Sequence, residues 1–211
     1  MKIALINGSP KIKESTSGLL LKDVKSYIGE RAEVLEIALH KPIISDQTIE
    51  ELKTVDVFIF SCPLYVDGIP GHLLSCLCQL EKEDWQDCQI SIYGIVNCGF
   101  YEGEQAKIAL QILKNWTHKL NFDWGDGLGI GGGGALMQMP ATQKNHGPKA
   151  PVDKALQTLA ETIFQGNSQE NQYVSIAFPR FLYRIAAQTG WRQLIRSNGG
   201  KIKDLAKQWN E

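Results

Sequence analysis

No apolar run in the 211-residue chain reaches the roughly 18 to 20 residues that a membrane-spanning helix needs, so a spanning protein is not expected. Neither sign of charge dominates. With 22 basic against 23 acidic residues and a net charge of -1, nothing pulls the whole chain toward nucleic acid. Cysteines are few and show no ligand spacing. The five of them (Cys62, Cys76, Cys78, Cys88 and Cys98) are an odd number without a C-x-x-C pair, which argues against a disulfide framework, a zinc ribbon or a cysteine-held iron–sulfur cluster. His72 and Cys76 would share a helix face, but packing through Leu73, Leu74, Leu77 and Leu80 explains that face without a metal. The opening run Met1-Lys2-Ile3-Ala4-Leu5-Ile6 is too short for a signal peptide and stops at Asn7-Gly8, so a cytoplasmic protein is expected.

What is present is a regular alternation. Apolar, β-branched runs at 2–6, 33–37, 55–60 and 89–96, with a weaker one at 127–131, read as strands. Helical periodicity fills 16–28, 70–81, 105–120 and 155–164, with a short turn near 47–52. The order predicts an α/β fold: a doubly wound, five-stranded parallel sheet in the order 2-1-3-4-5, with ligands beyond the carboxyl ends of strands one, three and four. The stretch 137–151 carries three prolines and no period, and reads as a lid-like loop. From 171 to 203 there is no acidic residue, while Arg180, Arg184, Arg192, Arg196, Lys201 and Lys203 are interleaved with aromatic and aliphatic side chains. This divides the chain into a sheet domain, 1–169, and a basic helical extension, 170–211, expected to complete a homodimer or cap the site.

Three strand-end loops carry the chemistry. After strand one, Asn7-Gly8-Ser9-Pro10 leads through Ser15-Thr16-Ser17 into a helix, setting the hydroxyls of Ser9, Ser15, Thr16 and Ser17 beside unpaired helix-start amides. That combination suits a phosphate dianion. It is not a triphosphate loop, because Lys13 and Glu14 stand where that motif requires Gly and Lys. After strand three, Tyr65 sits at a loop tip beside Gly68, suited to lying along a planar ring. After strand four, Asn97-Cys98-Gly99-Phe100-Tyr101 again pairs glycine with aromatics.

Other matches fail on position. The run 129–134 satisfies G-x-G-x-x-G, but Pro140, Pro148 and Pro151 leave no room for the helix a dinucleotide fingerprint requires. Its glycines are expected to let a loop pass near the ligand. Cys62 and Cys98 lack the arginine six positions on that a cysteine phosphatase needs; Gly68 and Glu104 stand there.

Taken together, Ile6-Asn7-Gly8-Ser9-Pro10 with Ser15-Thr16-Ser17, Pro63-Leu64-Tyr65 with Ile69-Pro70-Gly71, and Asn97-Cys98-Gly99-Phe100 resemble the flavodoxin-like, FMN-dependent NAD(P)H reductases, including the quinone-reductase-like flavoproteins. The resemblance covers roughly residues 1–134. It implies that Ser9, Lys11, Ser15, Thr16 and Ser17 hold the FMN phosphate, that Pro63, Leu64, Tyr65 and Val66 line one side of the flavin, and that Asn97, Gly99 and Phe100 contact its ring system. Backbone amides around Cys98, Gly99 and Phe100 are then the candidate donors to the ring oxygen where reduction builds charge. Glu102 and His146 are possible proton sources. Lys11 replaces an arginine common among such proteins, and Glu14 is an unusual neighbour for a phosphate. The implied activity is electron transfer from NAD(P)H through FMN to a small acceptor such as a quinone, nitro or azo compound, or free flavin. The alternatives are a non-enzymatic carrier of flavodoxin type, or a binding module that keeps the fold without the cofactor.

Overall fold

The computed structural model describes residues 1–86, 88–139, 145–166 and 170–207. Two compact units result, Met1–Ala177 and Phe178–Glu211. Residues 170–177, read from sequence as part of the extension, belong to the sheet-bearing unit.

That unit holds a parallel sheet of strands β1 (Lys2–Asn7), β2 (Glu33–Ala38), β3 (Val57–Pro63), β4 (Ser91–Asn97), β5 (Asp123–Ile130) and β6 (Gln172–Val174), in the order β2-β1-β3-β4-β5-β6. The five-stranded expectation is therefore corrected to six. β6 is only three residues long and half-buried throughout, too short to show a period, and it pairs Gln172, Tyr173 and Val174 with Leu128, Gly129 and Ile130. β5 also extends well before the weak segment foreseen at 127–131. Its three glycines lower strand propensity, yet each lies under a close neighbour: a Cβ on Gly125 would sit 2.3 Å from the Tyr93 ring, and one on Gly129 would sit 2.6 Å from the Gly103 carbonyl oxygen.

The helices are α1 (Thr16–Ile28), α2 (Asp46–Leu52), α3 (Gly71–Leu80), α4 (Lys107–Lys119), α5 (Gly133–Leu136), α6 (Ala150–Gln165) and, in the second unit, α7 (Arg180–Ser197). Ser15 starts α1 by accepting the Gly18 amide at 3.0 Å, and Gly29, at φ 59°, ends it. The helix foreseen at 155–164 begins earlier because Pro151 lies within its first turn, where a missing N–H costs nothing. Leu73, Cys76, Leu77 and Leu80 form the buried stripe of α3, whereas Leu74, expected from sequence to pack there, is 48% exposed.

The core on the α3 and α4 side is aromatic. Phe58 meets Phe60, Trp85 and Phe122 edge-on, with centroids 6.1, 6.2 and 6.3 Å away. Phe60 meets Trp116 at 5.7 Å, and the Trp116 indole N–H donates to the Leu77 carbonyl. Such edge contacts add about 0.5–1.5 kcal/mol each to the burial itself. Opposite, α1 and α6 cover the sheet through Leu20, Leu21, Val24, Leu156 and Leu159. Lys149 ties these helices together, pairing with Asp23 at 2.6 Å and Asp153 at 3.3 Å.

The second unit consists of α7 and a 3-10 turn at Ile202–Ala206, whose Asp204 accepts the Lys201 amide at 2.7 Å. No residue of α7 is buried; Phe181, Ile185, Trp191 and Leu194 are all more than half exposed. No described helix is long and apolar enough to cross a membrane.

Candidate functional site

Parallel strands deliver the three loops to one edge, and the backbone links them there. Gly8 donates to the Ser61 carbonyl at 2.8 Å, joining the first loop to the end of β3. Leu64 donates to the Asn97 carbonyl at 2.8 Å, joining the second to the third. Gly133 donates to the Cys98 carbonyl at 2.8 Å, and the Thr16 hydroxyl donates to the Gly133 carbonyl at 3.1 Å, closing the circuit back to α1. Gly8 must lack a side chain, since a Cβ would lie 2.7 Å from Leu73 and 3.2 Å from Cys62.

The first loop is shaped by two short-range turns. Asn7 Oδ1 accepts the Ser9 amide at 3.1 Å, and Ser9 Oγ accepts the Lys11 amide at 3.3 Å. Beyond them, the six successive amides of Ile12, Lys13, Glu14, Ser15, Thr16 and Ser17 have no hydrogen-bond partner among the described residues. They precede or open α1, where the helix dipole adds to their attraction for an anion. Lys11, Ile12, Lys13 and Glu14 are exposed, and Lys11 makes no ion pair among the described residues.

The hydroxyls divide between two tasks. Thr16 stays half-buried at the loop, whereas Ser15 is committed to its cap. Ser17 is interior: its Oγ accepts Asn97 Nδ2 at 2.8 Å, and the same amide group donates to the Cys62 carbonyl at 3.1 Å. Asn97 and Ser17 thus face each other beneath the first turn of α1, tying the end of β4 to the loop after β1. Ser61, from the strand between, is also fully buried, and its Oγ has no partner among the described residues. Asn7, Ser61, Asn97 and Ser17 make a polar layer directly under the loop.

The second loop is a tight hairpin. Tyr65 and Gly68 exchange both backbone hydrogen bonds, at 2.9 and 3.1 Å, with Val66 and Asp67 at φ 49° and 59° between them. A β-branched residue at positive φ is strained, so the fold holds Val66 at the tip against its own preference, fully exposed. Pro63 and Leu64 are half-buried below, and Tyr65 is 45% exposed. In the third loop Cys98 is buried, Gly99 is exposed with open space where its Cβ would be, and Phe100 is 57% exposed. The edge therefore carries uncovered aromatic surface on two neighbouring loops, close to the uncommitted amides.

Two expectations are corrected here. The Cys98 amide donates to the Ile130 carbonyl at 2.9 Å and is not available to a ligand, whereas the Phe100 amide has no partner among the described residues. In the glycine run 129–134 the protein's own atoms approach Gly129, Gly131 and Gly132 closely, while Gly134 has open space around it. A Cβ on Gly131 would lie 2.0 Å from the Tyr101 carbonyl oxygen, and Gly132, at φ 75°, opens α5. A helix does form at the run, contrary to expectation, but it begins inside the run at Gly133 and is only four residues long.

The thiols are quiet. Burial pushes Cys62 up to about 12 and raises Cys98, whose Sγ contacts the Glu102 carbonyl oxygen at 3.5 Å. Glu102 is half-buried and His146 exposed. The centre of the supposed lid, 140–144, lies outside the described residues; its later part, read from sequence as loop, forms a 3-10 turn at Gly147–Lys149 and the start of α6 at Ala150.

One residue near the loop escaped the sequence reading. His40, just beyond β2, places Nδ1 2.7 Å from the Ser9 carbonyl oxygen. No local motif marks it, because the contact spans 31 residues.

No protein-family model and no curated protein matches this chain. Solved structures do. An apo NADH:FMN oxidoreductase superposes with a TM-score of 0.60 at 14% identity, over 80% of this chain and 91% of that one. A flavone reductase gives 0.61 at 13% identity, over 81% and 66%. A flavodoxin from Streptococcus pneumonia TIGR4 gives 0.55 at 10% identity, over 79% and 99%. The sheet-bearing unit has the flavodoxin-like fold.

Proposed function

We propose that this chain is an FMN-dependent NAD(P)H oxidoreductase that passes electrons to a small acceptor such as a quinone, a nitro or azo compound, or free flavin. The observation that carries the reading is the run of six uncommitted amides at 12–17, lying within one hydrogen-bonded loop circuit with the exposed aromatics of two further loops. An amide run that begins at exposed residues and has no partner among the described ones is open to an acceptor, and a phosphate dianion offers several. Uncovered Tyr65, Val66 and Phe100 supply the apolar surface that a flat ring would cover.

The residues present fit FMN. The amides of 12–17, with Ser9, Lys11 and Thr16, would hold its phosphate, while Ser15 and Ser17 keep the loop in shape. Pro63, Leu64, Tyr65 and Val66 would flank one side of the ring, and Gly99 and Phe100 the other, with Asn97 and Cys98 acting from below through the backbone. Bound there, FMN supplies hydride acceptance and onward electron transfer. The chain's own work is to orient, to leave room above Gly99, and to present the Phe100 amide to developing negative charge.

Purified protein titrated with FMN should quench flavin fluorescence at one site per chain. Gly99→Leu should keep its thermal stability, because open space surrounds that position, yet lose FMN. A wild-type protein that neither carries nor takes up FMN would refute the proposal.

A second reading, a flavodoxin-type carrier, is kept alive by charge. With seven basic and two acidic residues in 178–211, the sheet-bearing unit is left with 15 basic against 21 acidic, the sign that carriers use for docking. Sustained oxidation of NADH or NADPH with menadione supports the enzyme; its absence, with FMN bound, supports the carrier.

The exposed apolar side chains of α7, set among arginines, support a homodimer completed by the 178–211 unit. Truncation after Ala177 should then halve the mass seen by light scattering, and an unchanged mass would exclude it. All five thiols are free, which suits a reducing compartment such as the cytoplasm.

A further inference from the structure

We propose that His40 is a positioning residue of the anion site, orienting the Ser9–Pro10 peptide so that the first loop can accept a phosphate; this rests on the FMN reading above. A carbonyl oxygen only accepts, so the 2.7 Å contact requires the proton on His40 Nδ1. The peptide it grips has no N–H, because the next residue is Pro10. Ser9 O is the only polar atom of that peptide, and the imidazole decides where it points. Were the carbonyl to swing toward the loop, its negative end would face the anion that the neighbouring amides attract. With Ser9 O held toward the end of β2, the Ser9 hydroxyl remains on the Lys11 amide and the loop beyond is free to present its own.

His40 is itself braced from both sides. The Leu39 amide donates to the Asn7 carbonyl at 2.9 Å, extending the β1–β2 ladder to the residue before it. After it, Cys76 Sγ contacts the Lys41 carbonyl at 3.2 Å, and Gln79 donates to the Pro42 carbonyl at 2.8 Å while accepting the Ile44 amide at 3.3 Å. The β2–α2 connection is thus fastened to α3, and His40 carries that fixed position across to the first loop.

The test compares FMN with riboflavin, which share the ring and differ in the phosphate. His40→Phe keeps a ring of similar bulk and removes the donor; His40→Asn keeps a donor on the same side-chain branch point. Binding is read by flavin fluorescence quenching, with circular dichroism confirming that each variant is folded. His40→Phe should weaken FMN about tenfold, the scale of one lost hydrogen bond, and leave riboflavin unchanged, while His40→Asn should stay within about twofold of wild type. Equal weakening of both flavins, or none, in folded His40→Phe would overturn the assignment while leaving the FMN reading standing. Wild-type protein that binds FMN no better than riboflavin would instead remove the phosphate site itself, and the role of His40 with it.

Discussion

Asp126 offers the sharpest test of the packing, because its cost depends on pH and can be separated from every other effect of substitution. It lies in β5, 1% exposed, with Oδ1 lacking any hydrogen-bond partner among the described residues. Burial drives its carboxyl up from 3.8 to about 6, opposed only by the Gly127 amide. The folded state therefore keeps a proton that the unfolded chain has already released. Stability from this source is fully present below pH 3.8, drains away as pH rises through about 6, and is absent above. A rise of roughly two units corresponds to about 3 kcal/mol at 1.36 kcal/mol per unit. Asp126→Asn imitates the protonated acid and retains an oxygen for the Gly127 amide. Its new N–H₂ group brings a cost of about 1–3 kcal/mol that does not vary with pH. The absolute stability of the variant can thus move either way, but its difference from wild type must grow in its favour by about 2 kcal/mol between pH 4 and pH 8. Urea unfolding of both proteins across that range measures the difference directly. Parallel stability curves would show that Asp126 is solvated or paired in the folded protein, and the argument would fail.

Gly131→Ala should destabilise by about 3 kcal/mol or abolish folding, since a Cβ would press on the backbone of Tyr101 and neither segment can yield; thermal unfolding of soluble protein checks this. Phe58→Ala should cost about 3–5 kcal/mol in a denaturant titration, because Phe60, Trp85 and Phe122 all lean on that ring. Lys149→Met should cost about 3–5 kcal/mol, as it leaves Asp23 and the buried Asp153 without their counter-charge; the double variant with Asp153→Asn should recover part of that loss. Ser15→Ala should lose about 1 kcal/mol of stability through the N-cap, and FMN titration of that variant shows how far the loop depends on it.

Whatever follows from local pattern was readable in the chain. The β-branched runs of β1, β3 and β4 and the spacing of Leu73, Leu77 and Leu80 announce their elements, because buried strands and amphipathic helices constrain neighbouring residues. Their alternation yields the parallel, doubly wound order, and that order brings the three loops to one edge. Glycine and proline were the misleading residues. Gly127 and Gly129 made the segment 127–131 read as a weak strand, although each yields space to a neighbour distant in sequence, and Pro151 read as an interruption, although it lies in the first turn of α6.

Only the tertiary structure decided which polar groups are spent and which are free. Ser15, Thr16 and Ser17 are equivalent as letters; a cap, a carbonyl across the edge and an asparagine on β4 separate them. The Cys98 amide is consumed by Ile130, and His40 reaches Ser9 from just beyond β2. Hydrogen-bond partners of this kind are set by where β1, β2, β4 and β5 end relative to one another, a distance in space that no spacing along the chain records.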